Sequence, residues 1–253
     1  AIRKLVKQVL RSNNYNYVSM DTAHTIEINT IAPGHIFLSS SRIQIKESQL
    51  NWYTSFNDPE DEESLHRWNW LLHLASEKIC PSSRLQWMLD MQEDWIECFQ
   101  KEIQLSSLKL DNLLRWESYT VGERIANSIL FYICKDIIPS KLVQKALVEQ
   151  VQFLFTRLEY FGTRTGNHVF NNARAIYLAG VYFQCESWRR VAVTIFHREL
   201  PLLVTPDGFL REGSSHYQFL FTRWVLEILF FVEAVYDDQL KSFLIPYAQN
   251  LLQ

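Results

Sequence analysis

Four ionisable side chains follow the turn 206–208 and have the residue types of acid–base chemistry: Arg211, Glu212, His216 and Tyr217. Glu212 and His216 are four residues apart, so a helix through both would bring them to hydrogen-bond distance. Positive charge from His216 or Arg211 would stabilise a Tyr217 phenolate and lower the phenol pKa from its reference value of about 10. Tyr217 could then transfer protons near neutral pH. The other interpretation is an exposed turn with an acid that caps a helix.

A second polar segment begins at Asn167 and His168. Asn171 and Arg174 follow Asn167 at i+4 and i+7, which is the spacing of one helical face. Most of the intervening residues are apolar, so the pattern predicts a helix with one polar stripe whose side chains need partners. The other interpretation is that Asn167 only caps the helix after Gly166 and that His168 is solvated.

A third polar segment covers residues 116–127. Thr120 and Glu123 have the spacing of a capping box, which predicts the start of a helix. Capping does not explain Arg124 and Asn127, which lie three residues apart just before an apolar run. We therefore keep Arg124 as a candidate site residue.

The elements that position these segments are helices. The 253 residues include only 7 Gly and 7 Pro, too few turn residues for a sandwich or barrel of short strands. From Glu63 onward the apolar residues recur at i, i+3 and i+4. Breakers divide this part into eight predicted helices, at 63–79, 83–103, 119–137, 140–161, 168–184, 187–203, 212–236 and 238–252. Short connections predict antiparallel hairpins. Residues 1–57 are irregular, with strands predicted at 25–29 and 42–46.

Composition excludes several classes of protein. The net charge of −3 and the absence of a basic face argue against nucleic-acid binding. The longest uncharged stretches, such as 125–134, are about half the length of a membrane span, so none is predicted. The four cysteines lack the spacing of metal ligands, so we expect free buried thiols at Cys80, Cys98, Cys134 and Cys185 and neither a metal nor a cofactor. The chain does not begin with Met and shows no leader, which favours a processed or trimmed product.

In their order along the chain, these segments resemble the helical domain of the heparinase II/III-like polysaccharide lyases. The resemblance spans about residues 50–235. Its motifs are an Asn-His helix start, a small-residue helix, a Trp about twenty residues later, an Asp-Gly turn and a Glu-x-Ser-x-x-Tyr sequence. In this chain they are Asn167-His168, residues 173–180, Trp188, Asp207-Gly208 and residues 212–217.

The resemblance implies an all-α, incomplete (α/α) toroid over residues 58–253, after the irregular segment 1–57. In longer relatives a C-terminal β-sandwich domain follows and supplies a His or Tyr to the site. The implied reaction is β-elimination on an acidic, uronate-containing polysaccharide or oligosaccharide. Asn167, with His168 beside it, would neutralise the uronate carboxylate, and Tyr217 would protonate the departing O4. The other residues expected to bind substrate are His216, Arg211, Glu212, Arg124, Asn171 and Arg174.

Two other functions stay open from the sequence. One is a non-catalytic carbohydrate-binding or assembly module, which would have no need of Asn167 and Tyr217 on one wall of a groove. The other is an (α/α) barrel glycoside hydrolase, which would use paired carboxylates drawn from Asp207, Glu212 and Glu123. The resemblance favours a periplasmic or extracellular location, and the chain itself leaves a cytoplasmic one open.

Overall fold

The computed structural model describes residues 33–45, 49–77, 81–105, 110, 113–160 and 166–252. More than half of the 253 residues lie in α-helices, which confirms the predicted helical class. Among the described helices, none combines the length and the apolar character needed to span a membrane. The chain divides into two compact units, and the described residues pass from the first unit to the second after Phe153. The domain boundary after residue 57 stays a prediction.

The first unit begins with a two-stranded antiparallel hairpin made of β1 (His35–Phe37) and β2 (Arg42–Gln44). Strand β2 lies within the predicted strand 42–46. Strand β1 was not predicted, because three residues are too few to show an alternating pattern. The strand predicted at 25–29 lies outside the described residues.

Helices make up most of the remainder. The described helices of the first unit are α1 (Pro59–Arg67), α2 (Asn69–Ser76), α3 (Ser82–Phe99), α4 (Ser118–Lys135) and α5 (Lys141–Thr156), the last of which continues into the second unit. The second unit then has α6 (Asn167–Tyr182), α7 (Glu186–Leu203), α8 (Ser215–Ala234) and α9 (Asp238–Leu251). Short 3₁₀ helices cover Gln100–Gln104 and Leu114–Trp116. Seven of the eight predicted helices are present, with ends within about five residues of the prediction.

Helices α1 and α2 replace the single helix predicted at 63–79. Between them Trp68 adopts a φ of 61°, in the left-handed region, so the helix cannot continue. Two side chains of α4 satisfy carbonyls at the end of α1. Arg124 Nη1 donates to the His66 carbonyl at 3.0 Å, and Asn127 Nδ2 donates to the Arg67 carbonyl at 2.9 Å. The apolar periodicity runs through the break, so it could not reveal it.

Helix α4 is capped by Glu117, whose carboxylate accepts from the backbone N–H of Thr120 at 2.8 Å. The predicted capping box of Thr120 and Glu123 is therefore wrong. Thr120 lies within the first turn of α4, since the helix begins at Ser118, and it does not occupy the N-cap.

The prediction of buried thiols is right for one of the three described cysteines. Cys185 is buried, whereas Cys98 and Cys134 are exposed, because they occupy outward positions of α3 and α4. These three thiols are free. Cys80 lies outside the described residues.

The second unit is built from two helical hairpins, as predicted. Helices α6 and α7 are joined by the three residues 183–185, and α8 and α9 by the three residues 235–237, so each pair is antiparallel. Helix α6 also packs against α8. Its Phe170 ring lies 5.2 Å from that of Phe196 and 4.5 Å from that of Phe221. Helix α6 is thus the core helix of this unit, and its N-terminus holds Asn167.

Candidate active site

A carboxylate from a distant loop holds Asn167 at the N-terminus of α6. The N-cap residue, Gly166, has no side chain to accept bonds from the first helical N–H groups. Glu212 supplies the acceptors. Its Oε1 accepts from the backbone N–H of Asn167 at 3.3 Å, and its Oε2 accepts from the side-chain amide at 2.7 Å. Asn167 is only 3% exposed and is not the N-cap, so the interpretation of its side chain as a cap is wrong.

The loop that carries Glu212 is fixed by its own bonds. Val204 and Leu210 form an antiparallel bridge. Gln218, in the first turn of α8, binds the loop twice. Its Oε1 accepts from the backbone N–H of Leu210 and its Nε2 donates to the Gly208 carbonyl, both at 2.8 Å. Glu212 therefore reaches Asn167 from a braced segment.

Helix α8 begins after Glu212, which corrects one predicted contact. Ser214 is the N-cap, and its hydroxyl accepts from the backbone N–H of Tyr217 at 3.4 Å. Because Glu212 lies outside the helix, the i, i+4 pairing predicted between Glu212 and His216 does not arise. The carboxylate binds Asn167 instead.

Tyr217 and His216 lie in the first turn of α8 with exposed side chains. Tyr217 is 40% exposed, and its ring centroid lies 5.7 Å from that of His216. Arg211 is exposed as well. These three side chains are accessible to a ligand. That Asn167, His168 and Tyr217 border one cleft stays a prediction.

His168 pairs with an acid that the sequence did not single out. Its side chain is 46% exposed, and its Nδ1 lies 3.3 Å from Glu159 Oε2. A carboxylate at this distance can orient the imidazole ring. Glu159 lies within the helix predicted at 140–161, and nothing in that pattern distinguishes it as a partner of His168, so the sequence carries no signal for the pair.

Asn171 and Arg174, the remainder of the polar stripe on α6, are buried completely. Arg174 Nη1 lies 3.1 Å from Glu227 Oε2, and its guanidinium lies over the Trp224 ring at 5.2 Å from the centroid. Glu227 also pairs with Arg223 Nε at 3.1 Å. The structure places the side chains of Asn171 and Arg174 inside the protein. A direct role of these two residues in binding substrate stays a prediction. The acid at 227 on an apolar helix was the available signal for the ion pair.

A buried acid of this unit, Glu199, was also missed. Glu199 lies on α7, is 1% exposed, and has Oε1 3.2 Å from Arg198 Nε. Burial raises the pKa of its carboxyl group. Burial and the nearby Glu199 also raise the pKa of Tyr160, whose ring lies under the Arg198 guanidinium. The sequence signal was an acid on the apolar face of α7.

Arg124, in the first unit, is 0% exposed, with its guanidinium 4.2 Å from the Trp95 ring centroid. Besides the His66 carbonyl, it donates to the Arg115 carbonyl and to Gln150 Oε1, each at 3.0 Å. Burial, followed by repulsion from Arg124 and Arg115, lowers the pKa of His66 to about 3. These bonds give Arg124 a structural role, and binding of substrate by Arg124 stays a prediction.

One comparison, with models of protein families, shows the family of this chain. The family model described as Heparinase II/III N-terminus matches residues 3–251. Comparison with curated proteins gives no match.

Two solved structures show the same helical fold. Heparan sulfate lyase HepC from Pedobacter heparinus is 16% identical with a TM-score of 0.61, and the match covers 99% of this chain and 37% of that chain. A heparinase III is 22% identical with a TM-score of 0.60, and the match covers 82% of this chain and 32% of that chain. The chain therefore spans less than two fifths of the length of either protein.

Proposed function

Because the chain belongs to the Heparinase II/III N-terminus family, we propose that it is the helical part of a polysaccharide lyase. The proposed substrate is an acidic polysaccharide or oligosaccharide that contains uronate, and the proposed reaction is β-elimination. The observation that carries this proposal is the placement of Asn167. Its amide is fixed at a helix N-terminus by the same loop that leads into the Tyr217 helix.

The chemistry explains why these residue types are needed. The C5 proton of a uronate is barely acidic, because removing it leaves a carbanion beside a carboxylate. A donor such as the Asn167 amide, placed at the N-terminal end of a helix dipole, stabilises the negative charge that develops there. His168, which is half exposed and lies next to it, supplies a further donor.

Tyr217 is proposed as the acid that protonates the departing O4. Its exposed phenol lies beside His216 at the start of α8. The same phenol can serve as the base that removes the C5 proton, if it begins the cycle as phenolate. Arg211 and His216 would attract the acidic polymer. In longer relatives a β-sandwich domain supplies a further His or Tyr, and we propose the same for the protein that contains this chain.

The glycoside hydrolase alternative is less well supported. It needs two carboxylates on either side of a glycosidic bond. Glu212 has both oxygens engaged by Asn167, and Glu123 is buried, with an oxygen 3.4 Å from Asn127 Nδ2. Asp207 is exposed. Glu212, in the same loop, is held by Asn167 and so cannot serve as the second carboxylate of the pair.

The test is a Tyr217→Phe variant of the protein at its natural length, assayed on uronate polymers. Elimination creates a 4,5-unsaturated uronate that absorbs in the near ultraviolet. The variant should lose this signal while keeping its fold, since the phenyl ring still packs. Tyr236→Phe is the matched control, because Tyr236 is 88% exposed beyond the end of α8. Wild-type rates in Tyr217→Phe would contradict the assignment, and so would binding without turnover by the unmodified protein.

A further inference from the structure

We infer that Glu212 is a positioning residue for Asn167 and does not itself bind substrate. This inference rests on the proposed function. One carboxylate holds both the backbone N–H and the side-chain amide of the same residue, at 3.3 and 2.7 Å, across 45 positions of sequence. Two bonds to one residue fix both the start of α6 and the rotamer of its first side chain.

The charge of Glu212 also determines which way the amide faces. An ionised carboxylate can only accept hydrogen bonds, so the Asn167 amide must present nitrogen, and not oxygen, to Glu212. The amide nitrogen carries two protons. Glu212 accepts a hydrogen bond from one of them. The other proton is directed away from Glu212, where it can donate to the uronate carboxylate. Without Glu212 the amide could turn over and present an oxygen, which would repel the developing negative charge.

The surroundings favour this role over substrate contact. A Cβ on Gly166 would lie 3.5 Å from Glu212 Oε1, so the carboxylate packs directly on the backbone at the start of α6. A carboxylate aimed at an acidic polymer would oppose binding. Here its two oxygens are instead engaged by Asn167, and its charge complements the positive end of the helix dipole.

A double-mutant cycle on kcat separates positioning from mere capping. Glu212→Gln keeps the size of the side chain but can accept only one of the two bonds, and we expect kcat to fall about 10- to 100-fold. In an Asn167→Ala background the same substitution should change kcat less than about twofold, because Glu212 has no amide left to orient. The melting temperature should fall with Glu212→Gln in both backgrounds, since a neutral amide interacts less favourably than a carboxylate with the N-terminus of α6. Glu233→Gln is the control, an exposed acid paired with Lys241 at the opposite end of α8.

Equal losses of kcat in the two backgrounds would overturn the inference and leave Glu212 as a cap or a direct ligand. Full activity in both Asn167→Ala and Tyr217→Phe would instead contradict the proposed function. NMR of the Asn167 side chain tests the inference without any measurement of enzyme activity. The two side-chain amide protons of Asn167 should have widely separated NMR shifts in the unmodified protein, and this separation should become smaller in Glu212→Gln. An unchanged pair of resonances would also overturn the inference.

Discussion

Replacement of Gly208 by alanine tests whether the loop that carries Glu212 packs as the structure shows. Gly208 has a φ of 82°, which costs an L-residue about 1–2 kcal/mol. A Cβ there would also lie 2.0 Å from the backbone oxygen of Asn250, near the end of α9, so backbone must move. Overpacking of this kind costs about 1–3 kcal/mol. Together the two effects predict a loss of about 2–5 kcal/mol in the free energy of unfolding.

Gly213→Ala in the same loop is the matched control. Gly213 has a φ of 67°, but nothing lies within 4 Å of its added Cβ, so only the backbone cost of about 1–2 kcal/mol is expected. Denaturant unfolding at constant m-value measures both variants. Equal losses would refute the predicted contact between the loop and α9. Lyase activity should fall further in Gly208→Ala, since the loop also positions Glu212.

Three other predictions concern stability and accessibility. The pKa of His66 is about 3 in the folded protein and about 6.5 in the unfolded chain. Acidification between these values should therefore destabilise the protein by up to about 1.4 kcal/mol per pH unit. The variant His66→Gln should show a shallower pH dependence of unfolding. Native protein should react with a thiol reagent at Cys98 and not at Cys185, with peptide mass spectrometry as the readout. Asn127→Ala should lose about 1–3 kcal/mol in denaturant unfolding, because the carbonyl of Arg67 loses its donor; an unchanged midpoint would argue against that bond.

Local patterns predicted the helices well, because the signals lie within the helices themselves. The polar stripe beginning at Asn167 correctly marked the start of α6, and the apolar periodicity placed α7 and α9 within a residue at both ends. The break at Trp68 could not be predicted. It depends on donors from Arg124 and Asn127, which lie 58 and 60 residues from their acceptors.

In the candidate site, too, the sequence predicted local features but not contacts between distant residues. The sequence singled out Asn167, Glu212 and Tyr217 by type, but not the bond between the first two, because it joins segments 45 residues apart. Local reasoning paired Glu212 with His216 by extending α8 too far. In the structure Gly213 forms a turn and Ser214 caps α8, so the helix begins after Glu212 and the carboxylate of Glu212 binds the N-terminus of α6. Burial of Arg124 and Arg174 was likewise invisible, since an arginine in a polar stripe has the same local pattern whether it faces solvent or an internal acid.

The most direct test of the account is the mass of the products that the protein, at its natural length, forms from a defined uronate oligosaccharide. Elimination adds no water, so the masses of the two products should sum to the mass of the substrate, and the product that retains the original reducing end should carry the new double bond at its non-reducing end and absorb in the near ultraviolet. A sum that exceeds the substrate by one water would show hydrolysis and contradict the account. An oligosaccharide that is bound but recovered uncut would contradict it as well.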